Sequence, residues 1–295
     1  MRPWICLMMV AVTGFVQNAA FAQEALKSLD ECEYVPASWA DGDSFQIRTK
    51  SKEVMTIRLY GVDCVEWHVN DRTDAKRLSE QRRYFGISSL GGSPQSSIET
   101  AKGFGKTASK RVEELLRTPF TVYTSFADAR GDGKHPRVYA FVKLSDGRDL
   151  ARVLVEEGLA RAFGVHRETP NGDSRAEYRE LLRDLELQAA KMGRGIWKHT
   201  DWNALPTERR EQRQEDADLD LATSQSSVAP GVRVDPNTAA RDELLKLPGV
   251  GEVMANRIIE SRPYGKLDDL LNVPGIGAAR LEKLKPYFEI RGQPR

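Results

Sequence analysis

Two short stretches concentrate side chains that bind hard cations or move protons. The first is Asp41-Gly-Asp43-Ser44. The second is GVDCVEWH, residues 61–68, which places Asp63, Cys64, Glu66 and His68 within six positions. Arg58 lies between them in TIRLYG. Two or three carboxylates and a carbonyl oxygen make a hard-oxygen site suited to Ca²⁺. An arginine on the same surface suits a phosphodiester. The guanidinium neutralises phosphoryl oxygens while a free carboxylate takes a proton from water. Spacing alone leaves a plainer reading open, in which DGDS is a tight turn and Arg58–Asp63 a surface ion pair. A soft-metal site is not indicated. His68, His135, His166 and His199 form no zinc spacing with the cysteines and read as solvated or locally hydrogen-bonded.

The elements carrying these residues are visible in the pattern. Ser44–Thr49 alternates Phe45 and Ile47 with polar neighbours, and Val54–Val62 is rich in β-formers. With TKSKE between them they read as a hairpin, Ile57 and Leu59 on one face and Arg58 on the other. Asp71–Phe85 reads as a charged helix ending in the Gly/Ser loop SSLGGSPQSS. Ile98–Arg117 reads as a helix weakened by Gly103 and Gly105. Phe120–Phe126 and Arg137–Leu144 have strand character. Asp149–Gly158 and Ser174–Met192 read as helices, Gly158 stopping the first.

The 295 residues suggest two domains, and 29% charged with 40% apolar residues fits globular chain. Ala101–Thr200 holds 19 Lys/Arg against 14 Asp/Glu, whereas Asp201–Pro230 holds 3 against 7. This acidic segment lacks apolar periodicity and reads as a flexible linker over 204–230. The basic stretch before it permits a polyanionic partner. Residues 1–22 read as a secretory signal: Arg2, an apolar run over Trp4–Val16, and small residues in Ala20-Phe21-Ala22. The run is shorter than the ~20 residues that span a bilayer, so cleavage before Gln23 and a secreted or periplasmic location are expected. Export leaves Cys32 and Cys64 in an oxidising compartment, where an even count suggests a disulfide. Two buried thiols remain the alternative.

After the acidic segment the chain repeats itself. Leu245-Lys-Leu-Pro-Gly-Val-Gly251 matches Leu271-Asn-Val-Pro-Gly-Ile-Gly277. Each copy has paired leucines before it and an apolar-periodic helix after it, so a duplicated helix–hairpin–helix is the economical account. Glycines there permit positive φ, and backbone N–H groups at the following helix hold a phosphate without reading bases.

Two resemblances gather these observations. ADGDSFQIR, TIRLYGVDCVE, KHPRVYAFV, DLARVLVEEGLARAF and GRGIW, in order over Tyr34–Trp202, resemble the staphylococcal thermonuclease family. The resemblance implies an α+β fold, a five-stranded OB-type barrel with packed helices. It also implies metal-dependent hydrolysis of DNA or RNA, with Asp43, Asp63 and the Cys64 carbonyl as Ca²⁺ ligands and Asp41 as support. Glu66 would be the base, and Arg58 and Arg137 the phosphate-binding arginines. The sequence departs at Val65, where the family usually has proline, and at Lys134-His135-Pro136, where it has tyrosine–glycine. An insertion over Asn70–Ser97 follows Glu66. Its Arg72, Lys76, Arg77, Arg82 and Arg83 read as a basic lid or as a solvated face, and the interleaved Asp71, Asp74 and Glu80 favour the solvated face.

The segment Val234–Ile290 is similar to the tandem helix-hairpin-helix module of competence DNA-uptake receptors and repair proteins. That implies a small all-α domain over 231–295 binding duplex DNA through Gly249, Val250, Gly251, Gly275, Ile276 and Gly277. The whole is expected to be an exported, monomeric, Ca²⁺-dependent nuclease of DNA or RNA, its linker keeping DNA near the barrel domain of residues 23–203. The rival expectation is a non-catalytic exported DNA-binding or uptake protein.

Overall fold

Alternating apolar residues build the centre of the molecule. The computed structural model describes residues 25–129, 137–225 and 233–290. Strands β1 (Lys27–Val35), β2 (Ser44–Arg48), β3 (Val54–Leu59), β5 (Phe120–Thr124) and β6 (Val138–Lys143) close a barrel in the order β1-β2-β3-β6-β5. All its pairings are antiparallel except β3 with β6, where Arg58 lies opposite Tyr139. Phe45, Ile47, Ile57, Val122 and Ala140 are completely buried inside it. The barrel and hairpin match the sequence reading. Strand β1 does not emerge from it, because KSLDECEYV lacks strict alternation and is bulged between Leu29 and Cys32, with Glu31 at positive φ. A second, two-strand sheet pairs β4 (Asp63–Cys64) with β7 (Ala160–Arg161).

Helices pack around the barrel. Helix α1 (Arg72–Tyr84) starts at the Asp71 cap, whose carboxylate accepts the N–H groups of Thr73 and Asp74. Helix α2 (Pro94–Leu115) begins four residues before its expected start, because Ser93 caps it and Pro94 fits the first turn. Gly105, which weakens α2 intrinsically, is needed for packing. A Cβ there would lie 2.2 Å from the Val65 carbonyl oxygen. Helix α3 (Leu150–Glu156) is capped by Asp149, and helix α4 (Arg175–Lys191) by a Ser174/Glu177 capping box.

The acidic segment differs from expectation. Leu205–Gln225 forms helix α5 rather than an irregular linker. Its first turns lie on α1: Glu208 accepts from the Ser88 hydroxyl, Arg209 donates to the Tyr84 carbonyl and stacks on the Tyr84 ring, and Glu215 pairs with Arg83. Polar contacts stabilise this helix, so apolar periodicity could not reveal it.

The C-terminal module holds α6 (Arg241–Leu244), α7 (Glu252–Glu260) and α8 (Ala278–Leu284), with a 3₁₀ turn at Leu267–Asn272. A bridge between Val234 and Phe288 ties its ends. The hairpins before α7 and α8 have Gly249 at φ +72° and Gly275 at φ +95°, a region open to glycine. Far from hanging on a tether, the module rests on the barrel domain through Glu252 and Glu260. Among the described residues no helix is long and apolar enough to cross a membrane. The signal-like stretch 1–22 lies outside them.

Candidate active site

The DGDS turn sets the first carboxylates. Asp41 Oδ1 accepts the N–H groups of Asp43 at 3.1 Å and Ser44 at 2.6 Å, folding the turn around itself. Asp43, 2% exposed, is thereby aimed inward. Its Oδ1 accepts from the Ser44 hydroxyl at 2.8 Å. Its Oδ2 accepts from the Cys64 N–H at 2.9 Å and Arg58 Nη2 at 3.4 Å. The turn and strand β4 therefore meet at Cys64. Arg58 also donates to Asp63 Oδ1 at 3.1 Å. Asp63 Oδ2 accepts from Arg161 Nε at 2.8 Å, across the β4–β7 ladder.

The inserted helix α1 completes the site. Gln81, fully buried, donates through one nitrogen to Asp63 Oδ2 at 2.9 Å and to the Cys64 carbonyl at 2.8 Å, and its oxygen accepts the Glu66 N–H at 2.8 Å. Arg77, one turn earlier on the same face, donates to Glu66 Oε1 at 2.7 Å. The expectation of a solvated face is thus corrected for Arg77, whose side chain is 11% exposed. Arg82 also turns inward, donating to the Ser97 hydroxyl and the Ser88 carbonyl.

Burial and charge pull against each other here. Burial opposes the charge on Arg58, yet Asp43 and Asp63 more than offset it and raise its pKa. Burial likewise opposes ionisation of Asp63, but Arg161 and Arg58 hold its carboxyl far below the usual range. Glu66 goes the other way: burial raises its pKa against the pull of Arg77. Burial, with Asp43 and then Glu66 beside it, pushes Asp41 well up. Cys64 is driven well above the normal thiol range by burial and the adjacent aspartates. Burial pushes Cys32 up to about 11. Both cysteines are buried free thiols, so the disulfide that export suggested is not formed here.

The expected cation ligands are hard oxygens: Asp43 and Asp63 share Arg58 Nη2, and Gln81 Nε2 joins Asp63 to the Cys64 carbonyl. Among the described residues no cluster of three or more His, Cys, Asp or Glu side chains has metal-binding geometry, and the third expected ligand is a backbone carbonyl. Gln81 Nε2 bridges that carbonyl and Asp63, so a donor already stands where a cation joining these two oxygens would stand. The ligand set fits a hard cation in kind, provided the amide nitrogen is exchanged.

Arg137 immediately precedes β6. Its carbonyl accepts the Ala129 N–H, and its charge, after those of Arg58, Arg241 and Arg262, counteracts the rise in the Tyr139 pKa that burial causes. Lys134, His135 and Pro136 lie outside the described residues. His68 stacks on Trp67, and His166 bonds Glu260.

In the module, Gly251 and Gly277 cap α7 and α8, and Gly249 and Gly275 make the turns. Val250 and Ile276 are each 3% exposed, and their N–H groups bond to the Leu247 and Val273 carbonyls. They anchor the hairpins from within, which corrects their placement on the DNA-facing surface. Sequence reasoning missed Gln81 and Arg161 and placed Arg77 on a solvated face. The available signal was a glutamine inside the apolar stripe Leu78, Gln81, Phe85 of α1.

Comparison with known proteins agrees with this domain order. Residues 56–199 match the family model described as staphylococcal nuclease homologue, and residues 229–289 match the helix-hairpin-helix motif. Endonuclease/exonuclease/phosphatase family domain-containing protein 1 of Xenopus laevis is 47% identical over 62 residues, 20% of this chain and 11% of that protein. A protein named deoxyribonuclease from Thioalkalivibrio sp. (strain K90mix) is 44% identical over 61 residues, 21% of this chain and 17% of that one. Photosystem II extrinsic protein U of Phaeodactylum tricornutum is 39% identical over 54 residues, 18% of this chain and 36% of that one. This chain thus covers only a minor part of each of these relatives. The two matched regions follow the order of the barrel and the hairpins, the first beginning inside β3: the chain carries a region matching staphylococcal nuclease homologues followed by one matching the helix-hairpin-helix motif.

Proposed function

We propose that this protein is an exported nuclease that hydrolyses phosphodiester bonds of DNA, and of RNA where the cleft admits it, with Ca²⁺ as cofactor. The observation that carries the reading is the buried network that links Asp43, Arg58 and Asp63 directly, and Glu66 through Gln81, on a barrel whose later strands match a nuclease homologue. Arg58, and Arg137 just before the strand beside it, would neutralise charge growing on the phosphoryl oxygens. Glu66, its pKa raised by burial, would take the proton of the attacking water after exchanging its Arg77 partner. Asp41 keeps the DGDS turn closed so that Asp43 stays in place. A cation held by Asp43, Asp63 and the Cys64 carbonyl would supply further positive charge at the phosphoryl group.

The module would hold duplex backbone at its glycine hairpins without reading sequence. A relative named deoxyribonuclease supports DNA as the substrate. Export rests on the residues of the 1–22 segment. One observation favours the rival, a non-catalytic DNA-binding protein: the oxygens of Asp63 and the carbonyl of Cys64 are already engaged by protein donors.

One experiment separates the two. Protein lacking residues 1–22 is incubated with plasmid and single-stranded DNA in Ca²⁺ or chelator, beside Glu66→Gln. The nuclease reading expects cleavage in Ca²⁺ only, reduced by about 10²-fold or more in the variant. DNA binding without cleavage in either condition establishes the rival.

A further inference from the structure

The module covers the surface beside Arg58 and Asp63. Glu252, the first residue of α7, bonds Arg241 of its own module at 2.8 Å and lies 3.9 Å from Arg161 of the barrel domain. Glu260, the last residue of α7, takes both oxygens to Arg179 of α4 at 3.0 and 2.8 Å, and accepts the His166 N–H at 2.8 Å. Arg175 adds a bond to the Glu260 carbonyl at 3.0 Å. The two glutamates are eight residues apart on one helix, hence near the same face and on the order of 12 Å apart. Between the domains, Arg58, Asp63, Tyr139, Arg241 and Asn256 line a cavity of about 10 Å³, room for about one water and not for a phosphodiester.

Arg161 is the informative residue. It is 3% exposed, stacked 4.2 Å from the Phe163 ring, and bonded to Asp63 through Nε, yet its buried Nη2 has no hydrogen-bond partner. His166 Nε2 is likewise buried and unbonded. A buried donor left without an acceptor, as Arg161 Nη2 is, is rare and costly, and it marks where an acceptor belongs. A guanidinium recognises carboxylate and phosphate with the same fork of N–H groups. At 3.9 Å Glu252 answers the charge of Arg161 without satisfying its Nη2.

We propose that the C-terminal module plugs the nucleic-acid cleft of the barrel domain, Glu252 and Glu260 occupying positions at Arg161 and at Arg179 with His166 that backbone phosphates take in the open form. The assignment of the cleft to nucleic acid rests on the nuclease reading; the docking does not. Phosphates of an incoming strand and the two glutamates compete for the same cations, so the closed form is displaced by substrate rather than by a separate effector.

The test uses the full chain as wild type, as Glu252→Gln/Glu260→Gln and as Arg179→Gln. Affinity for a short fluorescent single-stranded DNA is measured by anisotropy without divalent metal. Hydrogen exchange of residues 160–167 reports opening. The double variant should bind roughly tenfold tighter, the expected effect of removing two ion pairs that hold a two-state closure, and exchange at 160–167 should rise. Arg179→Gln should also raise exchange but gain less affinity, because it removes a phosphate position along with the latch. Unchanged affinity and exchange in the double variant overturn the plug, as does an Arg179→Gln gain equal to that of the double variant. Tighter binding without cleavage by any form in Ca²⁺ sustains the plug and removes the nuclease reading.

Discussion

Replacing Gln81 by alanine tests whether its amide nitrogen holds the place of a cation. Gln81 makes three buried hydrogen bonds, to the Glu66 N–H, the Cys64 carbonyl and the ionised Asp63. Two neutral bonds at ~1 kcal/mol each and one to a charged group at ~1.5–3 kcal/mol sum to ~3.5–5 kcal/mol. Water entering the vacated polar space returns part of this, leaving a loss of about 2–4 kcal/mol. Urea denaturation in chelator measures the loss as a fall in midpoint at constant slope. Titrated Ca²⁺ should then stabilise the variant by about 2.7 kcal/mol when free Ca²⁺ is a hundredfold above its dissociation constant, and the wild type by less. The wild type gains less because the cation must first expel the amide. A loss below about 1 kcal/mol, outside the range that three buried hydrogen bonds allow, or an equal Ca²⁺ gain in both proteins, refutes the reasoning.

Other changes probe the supports of the site. Gly105→Ala should gain about 1 kcal/mol in helix propensity but lose more by driving a methyl into the Val65 carbonyl. Net destabilisation in urea and weakened cleavage through a displaced Glu66 are expected, and a stabilised, fully active variant contradicts this packing. Arg161→Met should cost about 2–3 kcal/mol, the lower side of a broken buried pair, because Asp63 keeps Arg58 and Gln81. A double-mutant cycle with Asp63→Asn should recover the coupling, and additive losses would show the pair to be inert. For Glu260, burial opposes ionisation, but hydrogen bonds from His166 and the charge of Arg179 hold its pKa below the usual range. Its contribution is therefore full above the ordinary carboxylate pKa of ~4.3 and lost as pH falls toward the lowered value. Wild type should lose more thermal stability than Glu260→Gln between about pH 5.5 and pH 3.5; parallel losses would mean that Glu260 is not the titrating latch.

How much of this was legible in sequence depends on the physical signal each part leaves. The β2–β3 hairpin shows itself because Phe45, Ile47, Ile57 and Leu59 alternate with the register of a half-buried sheet. Asp41 and Asp43 announce a turn and a ligand at once. Strand β1 hides because charged residues fill its outward positions and a bulge breaks its period. Helix α5 hides because ion pairs and a ring stack replace an apolar face. Arg58 was expected on an open polar face, but both faces of β3 are covered at that point and it is 9% exposed. Gln81 left only its place in an apolar stripe as a signal, because a neutral amide carries no chemical signature until the geometry puts it between two ligand oxygens. The docking of the module left no trace in either half alone, since Glu252 and Glu260 read as ordinary polar positions of an amphipathic helix.

The two-residue ladder between Asp63–Cys64 and Ala160–Arg161 has a thermodynamic consequence. It places one guanidinium between a carboxylate expected to hold a cation and a carboxylate that belongs to the docked module. Whatever changes the first partner changes the second, and the coupling free energy is the same read from either end. If lifting the module raises cation affinity by some factor, saturating the cation must loosen the module by that factor. Strand entry and metal entry would then be linked equilibria, and neither affinity is a constant until the concentration of the other ligand is stated.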